Sequence, residues 1–175
     1  MTLVINLFGG PGTGKSTMMA DVFSKLKWKG INCEMAPEFA KEKVWEESYH
    51  TLDNQIYVFG KQHHTIHRLL DKVDVIITDS PLLLSLYYGK NMSKQFHELV
   101  WQEHAKLDTI NFFLKRKKKY NPSGRMQSEK AAKLIDKELK DILFKEVFLS
   151  YDAVPETADE IVMIIEDQLK LMGMK

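Results

Sequence analysis

The chain has 175 residues and a mass of 20.3 kDa, about one domain's worth at roughly 100–200 residues each. Apolar types make up 44% and charged types 28%, ordinary globular usage that argues against disorder and collagen-like repeats. Lys and Arg number 25 against 24 Asp and Glu, and the resulting +1 gives no global field of the kind that marks nucleic-acid or membrane binders.

That balance conceals an asymmetry. Lys115–Lys119 reads Lys-Arg-Lys-Lys-Lys, and without those five cations the rest of the chain sums to −4. Two of the three arginines, Arg116 and Arg125, lie in or just after this run. Cys33 is the only cysteine, so no intrachain disulfide or cysteine zinc cage can form. No apolar run approaches the roughly 20 residues of a membrane span, and Thr2–Phe8 is too short for a signal-peptide core. The expectation is a soluble cytoplasmic protein without a membrane partner; its oligomeric state is left open.

In chain order, Thr2–Phe8 is the first of five short β-like runs. Met18, Met19, Val22, Phe23 and Leu26 then recur at helical spacing, with Gly30 as the expected stop. Ile31–Ala36 is the second run, followed by a helix around Glu38–Glu47 and a long one from Leu52 to near Val73. Val73–Thr78 is the clearest apolar run. Helices are expected around Leu82–Tyr88 and Gln95–Ala105, then a fourth strand at Thr109–Leu114. A helix marked by Ala131, Ile135 and Leu139, a fifth strand at Val147–Ser150, and a last helix from Ala158 complete the pattern. Near-continuous apolar strands alternating with helices predict an α/β fold with a parallel sheet covered on both faces. No repeat or linker breaks the chain, so residues 1–175 read as one domain. Its one unusual loop is the basic stretch at about 115–128.

Gly9-Gly10-Pro11-Gly12-Thr13-Gly14-Lys15-Ser16 matches G-x-x-x-x-G-K-[ST] between the first strand and the first helix. Gly10, Gly12, Thr13, Gly14, Lys15, Ser16 and Thr17 are the candidate nucleotide-binding residues. Backbone N–H groups and the helix N-terminus would face phosphate oxygens, Lys15 would reach the β- and γ-phosphates, and Ser16 would ligate Mg²⁺. The dinucleotide fingerprint G-x-G-x-x-G fails on spacing. The site is one for a nucleoside triphosphate, expected to be ATP, since no Asn-Lys-x-Asp guanine-reading signature occurs. Asp79 ends the apolar third strand and suits the acid that holds Mg²⁺; Ser80 follows it, where many hydrolytic ATPases carry Glu.

With Gly9–Thr17, Ala36-Pro-Glu-Phe-Ala40, Ile77-Thr-Asp-Ser-Pro81 and Ser123-Gly-Arg-Met-Gln127, the chain resembles the small P-loop kinases. Within them it is similar to the nicotinamide-riboside-kinase-like AAA group found in many phages. The resemblance implies a P-loop kinase-type fold: a five-stranded parallel sheet flanked by helices, with a basic lid after the fourth strand. It implies transfer of the ATP γ-phosphate to a hydroxyl of a nucleoside- or nucleotide-like acceptor, with Lys15, Asp79, Glu38, Arg125 and Arg116 as catalytic residues. Glu38 would orient or deprotonate the acceptor hydroxyl, with Asp79 a rival for that role. The two arginines would neutralise the transferring phosphoryl group. Gln55-x-Tyr57-x-Phe59 is similar to a stretch of deoxynucleoside kinases that pairs with a base, and Gln62 loosely matches a glutamine of the riboside-kinase-like group. Other acceptors left open are nicotinamide riboside, a nucleoside monophosphate, and a 5-hydroxymethylpyrimidine in phage DNA, which the basic run would suit. A nucleotide-dependent regulatory ATPase or switch is the reading of a different class. His63, His64 and His67 read as a solvated helix face with no partner carboxylate in the pattern.

Overall fold

The computed structural model describes residues 1–117, 119–121, 128–143 and 145–173. Five strands form one sheet: β1 (Leu3–Phe8), β2 (Cys33–Ala36), β3 (Val75–Thr78), β4 (Asp108–Lys115) and β5 (Leu149–Asp152). Their order is β2-β3-β1-β4-β5, and every pairing is parallel. The helices are α1 (Lys15–Trp28), α2 (Phe39–Trp45), α3 (Tyr49–Asp53), α4 (Gln55–His67), α5 (Leu84–Tyr88), α6 (Lys94–His104), α7 (Glu129–Ile142) and α8 (Thr157–Leu171). The expected α/β architecture of a P-loop NTPase is therefore present.

Side chains alternate across β1 as the pleat requires. Leu3, Ile5 and Leu7 pack with Val22 and Leu26 of α1 and with Ile161 and Ile165 of α8. Val4 and Phe8 face the opposite way, toward Phe59, Leu83, Phe96, Val100, Ile135 and Leu139. Asn6 interrupts that second face, in register with Asn111, and donates its Nδ2 hydrogen to Asn111 Oδ1 at 2.9 Å. Asn111 donates onward to Glu146 Oε2 at 2.8 Å, and buried His104 lies 3.4 Å from the same oxygen.

Three features differ from the sequence-based expectation. The long helix from Leu52 is broken: Asn54 leaves helical geometry at ψ 81° and its side chain caps α4 by accepting from Tyr57 N. A short polar cap here outcompetes the apolar periodicity that runs through it. The fifth strand lies two residues later than Val147–Ser150. Val147 is 83% exposed, whereas the Phe148 ring packs edge-on against Phe8 and Phe113, so pairing begins at Leu149. The histidines of α4 do meet a carboxylate, because α6 brings Glu103 within 3.2 Å of His63 Nε2.

In a sheet ordered this way the chain leaves β1 toward β2 on one side and returns past it from β3 to β4 on the other. The crevice beyond the carboxyl ends of β1 and β3 is thus the switch point, where parallel α/β sheets take ligands. Gly9 and Asp79 leave the sheet at that crevice.

Candidate functional site

The loop after β1 wraps tightly before α1 begins. Gly14 takes φ 107°, a left-handed value that favours glycine, and Gly14 O accepts from Met18 N at 2.9 Å to start the helix. Buried Thr13 donates its hydroxyl hydrogen to Gly10 O at 2.9 Å, bracing the loop from within. The Lys15 ammonium folds back over the loop, donating to Gly9 O at 2.8 Å and Gly10 O at 3.2 Å. Burial pulls the Lys15 ammonium below its ordinary range, while Glu38, Asp79 and Asp136 pull the other way.

At the end of β3, buried Asp79 has both carboxylate oxygens engaged. Oδ2 accepts the Ser16 hydroxyl hydrogen at 2.5 Å, and Oδ1 accepts the backbone N–H of Glu38 at 3.0 Å. Ser16 and Asp79 thus bring two hard oxygen donors together beside Lys15, a donor chemistry that fits Mg²⁺. Asp79 does not cap the following helix; its second oxygen pins the turn where α2 begins. Glu38 is the N-cap residue of α2.

A cavity of about 420 Å³ starts at Gly12, Gly14, Lys15, Ser16 and Thr17 and extends between α2, α3, α4 and α5. Glu38 stands on its wall, with apolar Val44, Leu52, Val58 and Leu84 deeper along it. Polar groups at intervals are Gln55, Gln62, Ser80, Ser85 and Tyr88, while Lys41 and Asp53 are exposed on it. Desolvation pushes the Tyr88 phenol above its ordinary range and nearby Glu38 adds to this, so the hydroxyl stays a neutral donor. A second, shallow hollow of about 60 Å³ lies on the other side of α1's first turn, walled by Thr17, Asp21, Ala153 and Pro155 among others.

The structure brings most sequence-singled residues to this edge. Gly10 and Thr13 brace the loop rather than line the cavity. Gln62 reaches the cavity, but its Oε1 already accepts from Phe39 N at 3.2 Å, tying α4 to the start of α2. Gln55 also lines it, with its amide donating to Leu52 O at 2.6 Å. Tyr57 is not brought to the wall. Its ring packs edge-on against Phe39 at 5.7 Å and carries Lys61 over its face. Arg116 does not line the cavity; it packs against the loop, donating from Nη1 to Pro11 O at 2.8 Å. Arg125 lies outside the described residues. Residues at this edge that escape sequence reasoning include Lys41, Asp53, Ser85, Tyr88 and Asp136. Only Asp136 leaves a signal, as an acid on the apolar edge of an amphipathic helix between Ala132 and Leu139.

Sheet order, loop and crevice define a P-loop NTPase-type domain, a class that binds nucleotide together with Mg²⁺. The chain belongs to the family described as AAA domain, whose model matches residues 4–161. No curated protein matches the chain. Among the described residues, no helix is long and apolar enough to cross a membrane.

Proposed function

We propose that the protein is an ATP-dependent kinase that transfers the γ-phosphate to a hydroxyl of a small, phosphate-free nucleoside-like acceptor. The observation that carries this reading is the continuous cavity joining the phosphate loop to a chamber with Glu38 on its wall. Its volume falls in the ~300–1,000 Å³ range of small-molecule sites. A switch protein needs a phosphate cradle but no such second chamber beside it.

The charges in the chamber favour one acceptor class. Lys15 is assigned to the nucleotide, which leaves exposed Lys41 against Glu38 and Asp53 among the described lining residues. Dianionic phosphates are recognised by forked, hydrogen-bonding cations, above all arginine, and no described lining residue is one. A monophosphate would instead face Glu38 and Asp53 with only Lys41 as a described cation left to it. A neutral or cationic acceptor avoids that repulsion.

In this mechanism the loop amides and Lys15 hold the β- and γ-phosphates. Ser16 and Asp79 would hold Mg²⁺, which supplies charge neutralisation between the phosphates. The acceptor hydroxyl oxygen attacks the γ-phosphorus as the bond to the β–γ bridging oxygen breaks, and ADP leaves. Glu38 takes the hydroxyl proton. Asp79 is the rival for that role; it is assigned with Ser16 to Mg²⁺, and its Oδ1 also accepts from Glu38 N. Arg125, from its sequence context alone, is assigned to the transferring phosphoryl group. The nucleotide's base would project toward the shallow hollow beside Ala153.

The test is a γ-labelled ATP transfer screen over nucleosides, their monophosphates, nicotinamide riboside, and plain or hydroxymethylated DNA. Label is expected on one or more phosphate-free acceptors, with monophosphates at least about tenfold poorer. Labelled monophosphate or DNA in preference overturns the acceptor class. ATP hydrolysis with no labelled acceptor overturns the kinase reading.

A further inference from the structure

Asp136 lies two turns into α7 on the flank of its buried stripe of Ala132, Ile135 and Leu139. A carboxylate there is expensive unless both oxygens find donors. They do, and both donors belong to the phosphate loop's surroundings. Oδ1 accepts the Gly10 backbone N–H at 2.5 Å, and Oδ2 accepts Arg116 Nη2 at 3.0 Å. Arg116 in turn donates Nη1 to Pro11 O at 2.8 Å, with its side chain only 9% exposed. The Tyr120 ring lies 5.9 Å from the guanidinium and packs closely over Gly12. One carboxylate thus joins α7, the residue following β4, and the second and third positions of the loop.

The guanidinium is also incompletely satisfied. Among the described residues, Arg116 Nε is the one buried side-chain nitrogen or oxygen without a hydrogen-bond partner. An arginine kept only for packing would be expected to satisfy its buried donors or turn them to water. Here the side chain is held by its two terminal nitrogens, and the orientation is set by Asp136 on one side and Pro11 on the other.

We propose that Asp136 is a positioning residue of the nucleotide site, acting through Arg116 and Gly10 to fix the phosphate loop and the guanidinium against one another. The proposal rests on the loop as a nucleotide site and not on the identity of any acceptor. Asp136 touches no reacting atom. It sets where Arg116 stands and keeps Gly10 and Pro11 from drifting when the Lys15 ammonium leaves the loop carbonyls for a phosphate.

The experiment is a double-mutant cycle of Asp136→Asn and Arg116→Lys. The asparagine keeps an acceptor for Gly10 N but turns an NH₂ toward Arg116, so it breaks one arm selectively. Affinity for a fluorescent ATP analogue is measured without acceptor, alongside ATP turnover with acceptor and thermal unfolding. Each single variant is expected to lose about tenfold in nucleotide affinity or turnover, and the pair is expected to be no worse than either alone. Multiplying effects, or an Asp136→Asn protein within about twofold of the parent in both readouts, would overturn the proposal. If Asp136→Asn fails to fold, Arg116→Ala with added guanidinium ion decides instead. Restored affinity or turnover supports a positioned cation; absence of rescue refutes it. Should no acceptor ever be labelled, the binding measurement still decides the role of Asp136.

Discussion

Two glycine-to-alanine substitutions should move stability in opposite directions, for reasons that lie in the packing around each. At Gly10 a Cβ would stand 2.6 Å from Asp136 Oδ1 and 2.7 Å from Ala132 O. The carboxylate can rotate, but the Ala132 carbonyl is helix backbone and would have to retreat by about 0.7 Å to reach an ordinary 3.4 Å contact. Gly10 is not in the left-handed region, so conformational strain adds nothing. Overpacking of this kind costs about 1–3 kcal/mol, and losing the charge-assisted bond to Asp136 adds about 1.5–3 kcal/mol. A combined loss of about 2.5–6 kcal/mol lowers Tm by roughly 5–24 °C in a chain of this size.

At Gly60, in the middle of α4, a Cβ meets nothing within 4 Å. The same methyl group there removes backbone freedom from the unfolded chain and should stabilise by about 0.5–1 kcal/mol, raising Tm by roughly 1–4 °C. Scanning calorimetry of the two variants and the parent is sufficient. A Gly10→Ala protein that melts at or above the parent temperature would refute the packing of α7 on the phosphate loop. Two shifts of the same sign would refute the contrast.

Lys15→Ala should lower transfer by about 10²–10³-fold, measured with labelled ATP, because a preorganised cation at the phosphates is lost. Asp79→Asn should raise the Mg²⁺ concentration needed for half-maximal activity by about tenfold or more. It should also loosen α2, whose first residues hang from Asp79 through Glu38 N. Glu38→Gln should reduce kcat by about 10²-fold while leaving the affinity for an ATP analogue unchanged, a split that equal losses in both would contradict. Burial holds His104 below its ordinary value near 6.5, with Glu146 pulling the other way, so the unfolded chain binds this proton more readily than the folded one. Its contribution is complete above pH 6.5 and is lost as pH falls toward the lowered pKa. Tm should therefore fall between about pH 7.5 and 5.5, and His104→Gln should flatten that fall.

What the sequence reveals here depends on how far apart interacting residues lie along the chain. The phosphate loop is contiguous, so its glycines, Lys15 and Ser16 can be read without knowing the fold. Asp79 is legible because it ends an unmistakable apolar strand, although its bond to Ser16 spans 63 positions. The Asp136 bond to Gly10 spans 126 positions, and the local sequence of α7 marks an acid beside an apolar stripe but not its partner. The resemblance of Gln55-x-Tyr57-x-Phe59 to a base-binding stretch implies Tyr57 as an acceptor contact, whereas the fold turns it onto Phe39 and puts Tyr88, from another helix, on the cavity wall. The break at Asn54 is local and still hard to read, because one capping side chain decides against a continuing apolar stripe.

The basic run after β4 gains a different meaning once its residues are located. Arg116 is turned under the phosphate loop and paired with Asp136, so it does not belong to the solvent-facing charge. Lys117 pairs with Asp152 at 3.0 Å, both about half exposed, a contact that stabilises little but offsets one more cation. Among the described members of the run, Lys115 and Lys119 remain as exposed charge beside that pair. Affinity for a nucleic-acid backbone grows with the number of phosphates neutralised at once. Among the described residues the run thus offers two uncompensated lysines and a compensated third, while its one arginine is buried against the phosphate loop. The described cations of the run therefore divide by side-chain direction: Arg116 turns to Asp136 and Pro11 O, and the lysines turn to solvent.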